Sequence, residues 1–551
     1  MKKLISYVVQ FFPYLIIIFS TLSFILLKSD FTAFEPNTHS FIPALELKNE
    51  IDTDFYTSSI FKSPKIIIAY LINFFFFDWY YGIYFFKIFL ILLLYVSIWF
   101  LYVSIIIHKL RVHNICINFK FYLFIALFFI FFIAGIFGFF QGAGSRQGPL
   151  GYGSIHYSND FNAMFLSFVL GVYAIIYAFN KNEINNPISI IIIFISTIIH
   201  PAMGINNVIF LFLFYAEKLD ILIIKKFLTF SLYSIIIPIL ILKFNFPSDS
   251  NLSGKDFFDI YVSYRHPHHY LVSDKIFKIP LISIDHLGDI KIKIVNLSSF
   301  ILWSIFLTSQ LIFSYFYTKK IFFLNLMIFC IFHLIALIQY LFVEIFHIKL
   351  FIELGITRFT TLLSIIFLIQ LVLNLIFLTS NNNESKLMNK NYKYNFKFDI
   401  LKSIFLVLII AIIITNVTYV HPLNDSSFNK YHAITKWVNK NIDDKKEFII
   451  KNQNDFNIIQ FLRVFGKQNI FYDKESFPFA SQYIKEYSNR LHAHKKILEH
   501  LQNGNTLKIN KNYKDLIGYL LVEKEKNMSK KNDKNIIYED EFYVIKILRL
   551  N

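Results

Sequence analysis

Residues 261–271 read YVSYRHPHHYL, with Arg265, His266, His268 and His269 packed around one proline. An arginine beside several imidazoles suits an anion, because a guanidinium grips phosphate oxygens and an imidazole trades a proton near neutral pH. A metal site would instead want histidines at a fixed spacing such as i and i+4 on a helix, which this stretch lacks. Residues 353–358 (ELGITR) add Glu353 and Arg358 just ahead of an apolar run. Such an arginine either reaches lipid headgroups or holds the phosphate of a lipid entering from the side. A third basic position, Arg146, lies among six glycines in GFFQGAGSRQGPLGYGSIHYSND (138–160). Glycines let backbone amides approach an anion closely, although the stretch is no P-loop.

Carboxylates collect elsewhere, in residues 28–64. Asp30, Glu35, Glu46, Glu50, Asp52 and Asp54 lie there with His39. A carboxylate at a membrane surface acts as a general base or helps to hold a divalent cation. His200 stands before Pro201, at a break between two short apolar runs.

These residues must be carried by a membrane scaffold. Of 551 residues, 56% are hydrophobic, with 68 Phe and 33 Tyr. Many runs reach the roughly 20 apolar residues that cross a bilayer. Spans are expected at 8–27, 80–107, 118–140, 161–179, 186–200, 202–217, 224–243, 296–317, 321–345, 358–379 and 400–420, about eleven in all. Residues 65–79 are too short and read as a re-entrant or surface-lying helix. The start, MKKLISYVVQFFPYL, has a basic n-region but no small-x-small cleavage site, so it reads as a retained first helix.

The net charge of +17 is read as lysine-rich loops rather than as a nucleic-acid surface, since no basic-aromatic module is present. Basic loops at 108–120, 217–226, 317–320 and 380–397 are placed inside. The N-terminus is then inside. Residues 28–64, 141–160, 244–295 and 346–357 fall on the outer face with everything after 421. Cys116 and Cys330 are the two cysteines, with no CxxC, and imply neither a disulfide framework nor a zinc site.

Residues 421–551 change character. KYHAITKWVNKNIDD reads as a helix, EFIIKN, YLLVE and FYVIKIL as strands, and 475–503 as mostly helix. The expected architecture is an α-helical polytopic membrane protein (1–420). The first outer loop is 28–64 and the large outer loop 244–295. A small extracytoplasmic α/β domain (421–551) completes the chain.

This layout resembles the GT-C superfamily of membrane glycosyltransferases. More closely, it resembles a family of bacterial polytopic proteins sharing NTHSFIPAL and DTDFY (37–45, 52–56), IIHPAMG (198–204), RHPHHYL (265–271), ELGITR (353–358) and FLRVFGKQNIFYDKESFPF (461–479). The GT-C resemblance implies a polyprenyl-phosphate-linked sugar as donor and an essential carboxylate in the first outer loop, here Glu35 or Asp54. The adjacent acidic pair common in GT-C enzymes is missing, because Pro36 follows Glu35. Arg146, Arg265, His266, His268, His269 and Arg358 would hold the donor phosphate, with His39, His200 and Glu353 in support. No fixed metal site is implied, and a divalent cation is the one cofactor such chemistry would use. The expected partners are membrane lipids and the lipid-linked sugar, with no nucleic acid and the acceptor open. The expected location is the bacterial inner membrane, as part of the cell envelope machinery. Two alternatives stand beside this reading. One is a glycan ligase or polymerase of the O-antigen type. The other is a transporter, flippase or assembly protein, which would place ionisable residues near mid-membrane.

Overall fold

The computed structural model describes residues 66–75, 163–181, 183–215, 220–245, 252–265, 307–316, 321–355, 429–442, 446–452, 456–473, 483–503, 510–524 and 534–548, with scattered positions between 47 and 106 and around 304 and 369–374. They are mostly helical, with one small sheet near the C-terminus.

The first helix, α1 (Ile66–Phe75), has 10 residues. At 1.5 Å per residue it runs about 15 Å, too short to cross a bilayer. Next come α2 (Ala163–Lys181), α3 (Pro187–Ile199) and α4 (Pro201–Tyr215). Asn186 starts α3 by accepting the N–H groups of Ile188 at 3.0 Å and Ser189 at 3.4 Å, with Pro187 in the first turn where no donor is needed. Pro201 ends α3, because the residue before a proline is pushed out of the helical region. His200 accordingly turns to φ −153° and ψ 97°, and Pro201 opens α4. The pairs Ser167–Ser196 and Ala174–Ser189 run in opposite directions, so α2 and α3 form an antiparallel hairpin.

Helix α5 (Ile221–Asn245) and helix α7 (Phe322–Ile345) have 25 and 24 residues, and both are long and apolar enough to cross a membrane. Helix α5 leaves Ile221, Leu222, Leu228, Leu240 and Phe244 more than half exposed. Such a helix matches an apolar solvent better than water. It contains a π-helical turn at Leu232–Ile236. The cause lies just ahead: Pro238 has no N–H to give to Ser234, four residues back. The freed Ser234 carbonyl accepts the Thr197 hydroxyl of α3 at 2.8 Å.

Between α5 and α7 lies α6 (Gly254–Phe258), continued by a π-helical turn at Asp259–Arg265. After α7 the chain bends through His347 into α8 (Lys349–Leu354), which Gly355 ends in the left-handed conformation at φ 57°.

The C-terminal part is α/β. It begins with α9 (Asn429–Asn441), β1 (Glu447–Ile450), α10 (Phe456–Val464), α11 (Ile484–Asn503) and α12 (Lys511–Leu516). Strands β2 (Ile517–Glu523), β3 (Ile536–Glu539) and β4 (Tyr543–Ile547) follow, and the sheet order is β1-β2-β4-β3. Strand β1 is parallel to β2, and the other pairings are antiparallel. Residues 469–471 line the free edge of β1, with Phe448 donating to Asn469 and Phe471 donating back to Phe448, both at 2.9 Å.

One apolar cluster joins regions far apart in sequence. Phe257, Phe258 and Val262 meet Val343 and Ile352, and the same cluster continues into Ile449, Phe471, Tyr472, Tyr487 and Leu491 of the α/β domain. Phe55 packs against it. Parts of 28–64, 244–295 and 346–357 therefore share this cluster with the C-terminal part. The other expected spans, and the segment 141–160, fall wholly or largely outside the described residues.

Candidate functional site

The best-built polar shelf lies where α5 and α7 end. The last turn of α7 is π-helical, and the Ile348 N–H reaches back to the Phe342 carbonyl at 2.7 Å. His347 takes φ 49°, an uncommon backbone for a residue with a side chain. Its ring lies 4.3 Å from that of Phe258. Its carbonyl presses on α6 so closely that a Cβ on Gly254 would sit 2.1 Å from it. Only glycine fits there without moving backbone, so α6 is seated directly on the His347 turn.

Two cations and a carboxylate stand on this shelf. Lys349 lies 3.9 Å from Glu353 and 5.5 Å above the Phe257 ring. Burial lifts the Glu353 carboxyl above its ordinary range, against the pull of Lys349 and Lys243. The side chain keeps 36% of its surface exposed, so water screens these effects. Lys243 belongs to the last turn of α5. Arg265 ends the π-helical turn that follows α6, and α6 packs on α8. The start of RHPHH and Glu353 thus lie on neighbouring elements.

His200 stands elsewhere. Thr197, three residues before it, bonds to Ser234, which is about 20 Å along α5 from Ile221 and about 16 Å short of Asn245. The α3–α4 break therefore falls near the middle of α5, below the shelf. Hydroxyl and amide groups fill its surroundings. Ser167 and Ser196 each donate to the other's carbonyl at 2.8 Å, and Ser189 donates to the Ala174 carbonyl at 2.9 Å. His200 itself is buried, with its N–H on the Ser196 carbonyl at 2.9 Å. Close approach is bought with glycine: a Cβ on Gly171 would meet the Asn207 amide at 1.7 Å, and one on Gly204 would meet Thr197 at 2.1 Å. Asn206 Nδ2 and Asn207 Oδ1 are buried and find no hydrogen-bond partner among the described residues.

His333, at the middle of α7, bonds through Nδ1 to the Phe329 carbonyl at 2.8 Å and packs on the rings of Phe329 and Phe332. His333 is half-buried, and these contacts hold it within its own helix.

Glu35, His39, Asp54, Arg146, His266, His268, His269 and Arg358 lie outside the described residues, as does the side chain of Arg265. Among the described residues no group of His, Cys, Asp or Glu is arranged to hold a metal ion.

A second charged cluster, in the α/β domain, has no motif to announce it. Arg490 meets Glu447 at 2.9 Å and Glu486 at 3.1 Å, and Arg463 meets Asp473 at 3.3 Å in full burial. Glu447 and Arg490 are 43 residues apart, so no motif links them. His494 lies beside this cluster on α11, with Nε2 at 3.1 Å from the Ile450 carbonyl. Burial pushes its pKa down to about 4.

Comparison with family models, with curated proteins and with solved structures gives no match.

Proposed function

We propose that the chain is a GT-C-like glycosyltransferase of the bacterial inner membrane. It has about eleven spans, its N-terminus inside and its α/β domain outside. It moves a sugar from a polyprenyl-phosphate donor to an acceptor on the outer face. The observation that carries this reading is the gathering of polar segments. Phe55, the α6 segment, α8 and the α/β domain converge on one side, where α5 and α7 end. A lipid-linked sugar presents its phosphate at that level and its sugar beyond it.

The chemistry assigned to the site is a direct displacement. Glu35 or Asp54 takes the proton from an acceptor hydroxyl, and the oxygen forms a bond to the anomeric carbon. The bond from that carbon to the phosphate oxygen breaks, and polyprenyl phosphate leaves with its electron pair. Arg146, Arg265, His266, His268, His269 and Arg358 offset the charge on the departing phosphate. Glu353, Lys349 and Lys243 border this region and set its local field.

The test is turnover in proteoliposomes carrying a radiolabelled polyprenyl-phosphate sugar and a membrane extract as acceptor source. Release of polyprenyl phosphate with label in the acceptor supports the proposal. Glu35→Gln or Asp54→Asn should lower it about a hundredfold or more. Absence of release from every polyprenyl-phosphate sugar supplied would sink it.

A second reading, transport, is favoured by one observation. The α3–α4 break sits near the middle of α5, with buried Asn206 and Asn207 beside it. Broken helices at mid-membrane are where transporters bind their cargo. Label crossing the membrane with its phosphate link intact would favour that reading.

A further inference from the structure

The joint between residues 28–64 and the α/β domain is built around Arg490. Its Nη1 donates to both Glu447 oxygens, at 3.1 and 2.9 Å, and to the Phe471 carbonyl at 3.0 Å. Its Nε donates to Glu486 at 3.1 Å, and the Tyr513 hydroxyl donates to the other Glu486 oxygen at 2.8 Å. The guanidinium plane is therefore fixed. Two rings lie against it, Phe471 at 5.1 Å and Phe55 at 4.7 Å. Phe55 also meets Tyr483 edge-on, with centroids 5.6 Å apart.

A leucine at position 490 would give Phe55 an apolar neighbour without any charge to bury. An arginine there has to be desolvated, and it is tolerated only because two carboxylates and a carbonyl surround it. What the arginine adds is orientation. A flat cation locked in one plane receives an aromatic ring in one place. We propose that Arg490 is the positioning residue of the first polar loop, its locked guanidinium being the seat on which Phe55 docks. Asp54 precedes Phe55 in the chain, and the transferase reading gives it the role of base. This last part rests on the transferase reading, whereas the docking does not.

Hydrogen exchange on the full chain in lipid nanodiscs tests the seat. Phe55→Ala leaves the Arg490 cluster intact and should speed exchange across 47–58 about tenfold or more, with β1 and β2 as protected as in the wild type. Phe55→Trp should restore protection. Arg490→Lys should not, since an ammonium cannot be held in a plane by two carboxylates. In the transfer assay, Phe55→Ala should lower kcat about tenfold or more with KM for the donor nearly unchanged, and Phe55→Trp should recover it. Unchanged exchange at 47–58 overturns the seat, and so does loss of sheet protection in Phe55→Ala. Faster exchange with unchanged kcat overturns the positioning role. If the wild type transfers no sugar, the transferase reading falls, and exchange still decides the seat.

Discussion

The helical bundle and the α/β domain bury polar groups in opposite ways. Among the described residues of the bundle they are almost all hydroxyls and amides: Ser167, Ser189, Ser196, Thr197, Asn206, Asn207 and Ser234 in α2–α5, then Asn325, Gln370 and Asn374 further on, with His200 beside them. Several bond across to a neighbouring helix, as Ser167 does to Ser196 and Thr197 to Ser234, and Gln370 bonds to Asn325 at 2.7 Å. In the domain the buried groups include whole ions: Glu447, Arg463, Asp473 and Arg490. The bundle holds two helices long and apolar enough to cross a membrane, and hydroxyls, amides and close-packing glycines are the polar content that suits such helices, because an ion in hydrocarbon has no polarisable surroundings. In the α/β domain each buried carboxylate is desolvated together with a guanidinium, which keeps the cost tolerable.

The sharpest way to break this comparison is to leave one ion of the domain alone. Asp473→Ala strands the Arg463 guanidinium, which is 1% exposed, and should cost the domain about 3–5 kcal/mol. Thermal unfolding followed by proteolysis of the domain would measure it. A loss below about 1 kcal/mol would mean that the pair is not a sealed ion pair.

Next in size is a pH effect confined to the domain. His494 has its pKa depressed from 6.5 to about 4, so the unfolded chain binds the proton first as pH falls. The stability is fully present above pH 6.5 and is lost between pH 6.5 and pH 4, by about 3 kcal/mol. Domain stability measured across that window should fall with acid in the wild type and much less in His494→Leu.

In the bundle, Gly204→Ala should cost about 1–3 kcal/mol, because its Cβ would meet the Thr197 Cα at 2.8 Å, and backbone yields poorly. Detergent melting of the full chain reads this, and a stabilised variant would refute the close approach of α3 and α4. The smallest expected effect is Thr197→Val. It removes the bond to the Ser234 carbonyl freed by Pro238, at about 0.5–1.5 kcal/mol.

Parts of this architecture were legible beforehand for local reasons. Proline and histidine at 200–201 announce the end of α3, because the steric rule acts on adjacent residues. Strands β2 and β4 and helix α9 show in short-range pattern. Strand β3 and helices α10 and α12 are too short or too mixed to show. Residues 254–265 lie in a stretch that looks like polar loop, and they become helix because Phe257, Phe258 and Val262 find a cluster to enter. Of the candidate site, Glu353 and the backbone of Arg265 come out on neighbouring elements, while His200 lies deeper, near the middle of α5.

By itself the sequence determined that the chain is mostly helical, with stretches long and apolar enough to cross a membrane, and that the last part carries strands beside helices. These follow from composition and local periodicity, both of which act within a few residues along the chain. Tertiary structure alone decided that Phe55 lies on Arg490, that Arg490 meets Glu447, and that the Thr197 hydroxyl takes the carbonyl Pro238 leaves free. Each of those contacts joins residues whose distance in sequence carries no signal, and each is fixed by packing and by the need to pair every buried polar group.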